Sequence, residues 1–140
     1  MPEAAVIEPN RLCGVQEMEI VVNGPDGANR LFICSGIAEV EVGGGEPHPR
    51  WEQVFLQFDV GREFDPGKER VLKTISTASI GGVRSDGVPN FVGWRVYGAA
   101  ADLEEKNHRV RMNIAIGSRD SQAFLEQVVY TVHILAYVPD

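Results

Sequence analysis

Apolar and polar residues alternate with a period of two along much of this chain, most clearly over its last third. In residues 109–116, Val110, Met112, Ile114 and Ile116 share one side, while Arg109, Arg111, Asn113 and Ala115 share the other. In residues 128–138, Val128, Tyr130, Val132, Ile134, Ala136 and Val138 fall on one side. Strand side chains point alternately to opposite faces, so each stretch predicts a strand with one buried face. The same reading predicts strands over 17–22, over 31–34 and 37–42 on either side of Ser35-Gly36, over 51–60, over 71–80 and over 91–100. Residues 122–127 predict either a helical turn or the start of the last strand. Residues 1–16, with Pro2 and Pro9, predict an arm rather than a helix.

Turn signals separate these strands. Asn23-Gly24-Pro25-Asp26-Gly27 and Asp65-Pro66-Gly67 are turn chemistry, and residues 102–107 predict a charged hairpin connection. Three further stretches, 43–50, 81–90 and 117–121, are rich in Gly, Pro and polar residues and predict exposed loops. About eight short strands, roughly one every dozen residues, are the signature of an antiparallel β-sandwich. Several strands are apolar on their second face too. Phe55, Phe91, Tyr97, Leu135 and Tyr137 oppose the core rows of their own strands. A two-layer sandwich buries one face of each sheet, so the second face is expected to be covered by another subunit.

Composition narrows the function classes. The 140 residues suit one domain with a real core, and 44% hydrophobic with 24% charged residues is an ordinary globular balance. A net charge of −7 lacks the basic footprint of a nucleic-acid binder. No apolar run is long enough for a spanning helix, so membrane insertion is not expected. The first residues, Met1-Pro2-Glu3-Ala4-Ala5, do not read as a signal peptide, and the compartment stays open.

No signature of catalysis stands out. There is no Gly-x-Ser-x-Gly elbow, no phosphate loop with a trailing lysine and no paired metal-ligand motif. His48, His108 and His133 are scattered, and His133 falls opposite the core row of its strand, which suits a half-buried sheet histidine or one at a subunit contact. Cys13 and Cys34 are read as free thiols, although a disulfide stays possible. Neither an enzyme nor a cofactor nor a metal is expected. The polar loops fit one other task. Carboxylates, amides and guanidinium groups on exposed loops hydrogen-bond sugars, and Arg84 and Asp86 stand at the tip of the second loop.

The order of segments from residue 31 onward resembles the H-type lectin domain. Ile33-Cys34-Ser35-Gly36-Ile37 looks like the opening strand of that family with its Ser-Gly step, and Val54-Phe55-Leu56-Gln57-Phe58 like its second strand. Pro66 with residues 71–80, then residues 90–97 ending in Trp94-Arg95-Val96-Tyr97, then 109–116 and 128–137, are similar to the strands that follow, with His133 near the usual tryptophan. The resemblance covers residues 31–138 and is one of strand pattern. It implies a six-stranded antiparallel sandwich that forms a trimer and binds N-acetylgalactosamine or galactose-type sugars in clefts between protomers. The family's glycine and acid loop falls on residues 44–48, where Gly45 matches, Glu46 is the acid and His48 lies close by. Its arginine falls near Phe91, with only Arg95 available nearby, and its aromatic-histidine pair falls on 117–120, where this chain offers Arg119 and Asp120 instead. Residues 1–30 have no counterpart and are expected to add an arm and strand to a sandwich domain over 31–140. The expectation is an all-β, H-type-lectin-like sandwich with an extra N-terminal strand or arm, a homo-oligomer that binds carbohydrate. The alternative is a structural or assembly protein on the same sandwich.

Overall fold

A computed structural model describes residues 5–7, 11–22, 29–43, 52–85, 93–119 and 123–139. Eight strands account for nearly all of them: β1 (Ala5–Val6), β2 (Leu12–Val22), β3 (Asn29–Gly43), β4 (Glu52–Val60), β5 (Arg70–Ser85), β6 (Gly93–Glu104), β7 (Arg109–Arg119) and β8 (Ala123–Tyr137). They form two four-stranded sheets, β1-β4-β7-β6 and β2-β3-β8-β5. Every pairing is antiparallel except that of β1 on β4. The chain is an all-β sandwich, as its alternation requires.

The core lies where the two rows first read from the sequence meet. Val110, Met112, Ile114 and Ile116 of β7 face Val128, Tyr130, Val132, Ile134 and Ala136 of β8, and all nine are buried. Phe32, Cys34 and Ala38 of β3 and Leu56, Phe58 and Val60 of β4 extend the same layer, and Phe64 closes one end against Phe32 in an edge-to-face contact at 5.7 Å. One side of the sandwich is also tied directly across the layers, where the Thr74 hydroxyl of β5 donates to the Ala101 carbonyl of β6.

The structure corrects the sequence reading in three places. The arm expected over 1–16 contains β1 and the first residues of β2. Both are edge strands, and a bulge between Cys13 and Gln16, with Gly14 at φ 59°, interrupts the alternation that would have betrayed the second. Ser35-Gly36 does not divide two strands, because β3 runs unbroken through it. Gly36 is there for packing: a Cβ at this position would lie 2.7 Å from the Tyr130 hydroxyl and 3.0 Å from its ring carbon. Of the two alternatives for residues 122–127, the start of the last strand is the one observed, since 123–127 belong to β8. Finally, β5 and β7 run on through Ser85 and Arg119, into stretches expected to be loop.

Cys13 and Cys34 are free. Cys13 lies across from Ile37 and Cys34 across from Glu17, so the register sets them on opposite faces of the sheet and no disulfide can join them.

Gly36→Ala should destabilise the protein by about 1–3 kcal/mol in urea unfolding, since the added methyl group meets a buried ring that has nowhere to go. The hydroxyl is the nearest atom, so the same substitution should cost less in a Tyr130→Phe background. Equal costs in both backgrounds would show that the tyrosine does not dictate this glycine.

Candidate functional site

Register places three chain connections together. In the second sheet Gly43 of β3 and Arg84 of β5 both pair with Phe124 of β8. In the first sheet Glu52 of β4 pairs with Ser118 of β7, and Gly93 of β6 pairs with Arg119. β7 ends at Arg119 and β8 begins at Ala123, so the two sheet ends are joined by a short stretch and lie at one end of the sandwich. The connections β3–β4, β5–β6 and β7–β8 all leave from this end. They include the three loops that the sequence marks as candidates for recognition.

Of the residues expected to bind, Gly45, Glu46, His48, Asp86 and Asp120 lie outside the described residues. The others are strand residues at this end. Arg84 is on the outer face of the second sheet, where its guanidinium lies over the Phe124 ring at 4.7 Å and Nε meets Glu126 at 2.7 Å. Arg95 is on the outer face of the first sheet, stacked on the Tyr97 ring at 4.3 Å and donating to its hydroxyl. Arg119 is the last residue of β7, opposite Gly93. Arg84 and Arg95 therefore share an end but face away from each other across the sandwich. One protomer does not combine them in a single pocket.

Sequence reasoning missed Tyr97 as a site residue. It is the extra residue of a bulge between Val96 and Gly98, and its ring lies so close over Gly117 that a Cβ there would collide with it. The result is an exposed guanidinium–phenol unit, able to offer hydrogen bonds beside an aromatic surface. Gly98 beside Tyr97 and Gly117 opposite Arg95 are the only sequence traces of it. Beneath the same end, the indole Nε1 of Trp94 is buried without a hydrogen-bond partner among the described residues.

A second concavity opens between the sheets on the side of β2. It joins a cleft of ≈ 360 Å³ to one of ≈ 240 Å³, and both include Glu17, Cys34 and Gly61. Its floor is apolar, with Phe58, Val60 and Tyr130, and its rim carries Asp59, Arg109 and Arg111. Except for Arg109 Nε, which is buried without a partner among the described residues, the rim is committed to local bonds. Arg111 donates to Asp59 at 3.1 Å and to Gln57 at 3.2 Å, Asn107 donates to the second Asp59 oxygen at 2.8 Å, and Arg109 donates to the Gly61 carbonyl at 2.6 Å. On the floor, burial pushes the Cys34 thiol up to about 11, helped by the Glu17 carboxylate. Burial likewise pushes the Tyr130 phenol up to about 12, with Cys34, Glu17 and Cys13 adding to it. Both groups are protonated at neutral pH and supply neither a nucleophile nor a base. Among the described residues no three His, Cys, Asp or Glu side chains gather as metal ligands, and no helix is long and apolar enough to cross a membrane.

At pH 8 a thiol-reactive disulfide reagent should modify Cys13 of the folded protein first. Cys34 should react on the timescale of unfolding, because it is 3% exposed and its thiolate is suppressed. Fast modification of two thiols in the native state would show that the cleft floor is open.

Compared with known proteins, no family model, curated protein or solved structure matches this chain.

Proposed function

We propose that this chain is a non-catalytic carbohydrate-binding module that works as an oligomer. The observation that carries the reading is the gathering of the three polar connections, β3–β4, β5–β6 and β7–β8, at one end of a rigid sandwich. Loops held by a stiff scaffold are where recognition is built, since their side chains can vary without disturbing the core. The side chains on and beside these loops suit hydroxyl-rich ligands. Glu46, Asp86 and Asp120 accept hydrogen bonds from vicinal hydroxyls, while Arg84, Arg95 and Arg119 donate to ring and hydroxyl oxygens. Gly45 lets backbone approach closely, and His48 adds a ring nitrogen.

The resemblance to the H-type lectin domain supports the same reading. β3, β8 and β5 form three strands of one sheet and β4, β7 and β6 three of the other, a six-stranded antiparallel sandwich of the kind the resemblance implies. β1 and β2, from the part of the chain without a counterpart, each add one strand at a sheet edge. N-acetylgalactosamine and galactose are therefore the first ligands to test. Arg84 and Arg95 point away from each other in one protomer, so a site using both is completed between subunits. Such sites are individually weak and gain by being linked.

The alternative is an assembly component on the same sandwich. The observation that favours it is the apolar outer face of the second sheet, where Met18 and Ile75 are 58% and 57% exposed.

Thermal unfolding in a panel of monosaccharides separates the two. A sugar at a hundredfold excess over its Kd stabilises the native state by about 2.7 kcal/mol, which for a domain of this size is a rise in Tm of about 8 °C. We expect such a rise with one galactose-type sugar and not with its epimers, and its loss in Glu46→Ala or Asp120→Ala. A Tm unmoved by every sugar in the panel would leave the assembly reading.

A further inference from the structure

We infer that the outer face of the β2-β3-β8-β5 sheet is the surface through which copies of this chain join. The inference rests on the oligomeric part of the reading above and not on its sugar.

The two outer faces differ in kind. On the first sheet the register lines up Asp59, Arg111 and Asp102 in one row, and Gln57, Asn113 and Ala100 in the next. Arg111 bonds Asp59 and Gln57 there, so these two rows are finished toward water, and the apolar part of that face is confined to Phe55, Ala115 and Tyr97 toward the loop end. On the second sheet one row reads Met18, Ile33, His133, Ile75, and the next reads Ile20, Leu31, Leu135, Lys73. Ile37 and Val129 form part of a further row, beyond the small Ser35, Thr131 and Thr77. Leu72, the extra residue of a bulge between Val71 and Lys73, is 49% exposed as well. These side chains cannot reach the core, because Phe32, Cys34, Val132 and Ile134 fill the inner face at the alternate positions. Monomers seldom leave so continuous an apolar surface in water.

The size fits a second copy. Four strands at about 4.8 Å spacing give roughly 19 Å of width, and five rows about 6.7 Å apart give roughly 30 Å of length, or about 570 Å² in projection. A corrugated face has more accessible area than its projection, which brings it to the roughly 600–800 Å² per partner of a specific interface.

Sedimentation of the full chain at micromolar concentration tests the assignment. Wild type should run as an oligomer. Ile75→Lys places a charge in the middle of the face and should weaken association about a hundredfold or more. Met18→Gln and Ile75→Thr are milder changes at exposed positions, which keep the fold and should each shift the equilibrium toward monomer. Ala100→Lys, on the outer face of the first sheet, should leave the mass unchanged. A monomeric wild type would overturn the proposal, and so would an oligomer that survives the second-sheet substitutions or falls apart with Ala100→Lys. Since sugar-dependent stabilisation of a monomer remains measurable, failure here is distinguishable from failure of the carbohydrate reading.

Discussion

The contact on which the rest of the structure depends is the meeting of the β7 and β8 apolar rows. Each row comes from a strand held on both sides, with β7 between β4 and β6 and β8 between β3 and β5. Complete burial of a side chain such as Ile114 or Ile134 is worth about 1.5–3 kcal/mol, and these strands supply ten buried hydrophobic residues between them. They are also the last two strands of the chain. Apart from β1 on β4 and β2 on β3, the earlier strands have no partner until β7 and β8 exist, so the fold is built largely from contacts distant in sequence. Such topologies close slowly, because loop entropy is lost before the contacts that compensate for it form.

How legible each part was in the sequence follows from how each part is stabilised. β7 and β8 could be read directly, because a strand with one buried face must alternate, and nothing local competes with that pattern. The N-terminal edge was not legible. β1 is two residues long and depends on β4 for its hydrogen bonds, with Ile7 N–H donating to the Gln57 carbonyl at 2.8 Å. The bulge at Gly14 hides the start of β2. Gly36 misled in the opposite direction. A glycine beside a serine reads as a break, but here its missing side chain is the space occupied by the Tyr130 ring. That fact belongs to a residue 94 positions away and has no local trace.

The candidate site divides in the same way. The polar connections could be seen as candidates from composition, since glycine, proline and charge mark exposed chain. Their gathering at one end could not, because it follows from the pairings of Phe124 with Gly43 and Arg84, and of Ser118 and Arg119 with Glu52 and Gly93. The sequence also set Arg84 and Arg119 in loops, whereas both sit on strands whose pairing continues past the last alternating residue. The apolar second faces were legible residue by residue and not as a surface. Leu135 and Tyr137 belong to the outer face of the second sheet, Phe55 is half-buried beside Ala115 in the first, and Phe91 lies outside the described residues.

The loop end and the apolar face of the second sheet share a border. Arg84, Glu126 and Phe124 stand where that face reaches the end from which the connections leave. Copies joined through the face as proposed, in a parallel ring, would carry all their loop ends on one side of the assembly. Each joint would then bring Arg84 of one copy to the loop end of its neighbour, and the outward divergence of Arg84 and Arg95 that prevents a pocket in one protomer would no longer matter. The proposed interface would therefore do two things. It would remove Met18, Ile20, Ile33 and Ile75 from water, and it would fix the spacing at which the polar ends act together. Weak hydrogen-bonded contacts to a repeating ligand gain most from a fixed spacing, because the second contact forms at high effective concentration only if the geometry lets both engage.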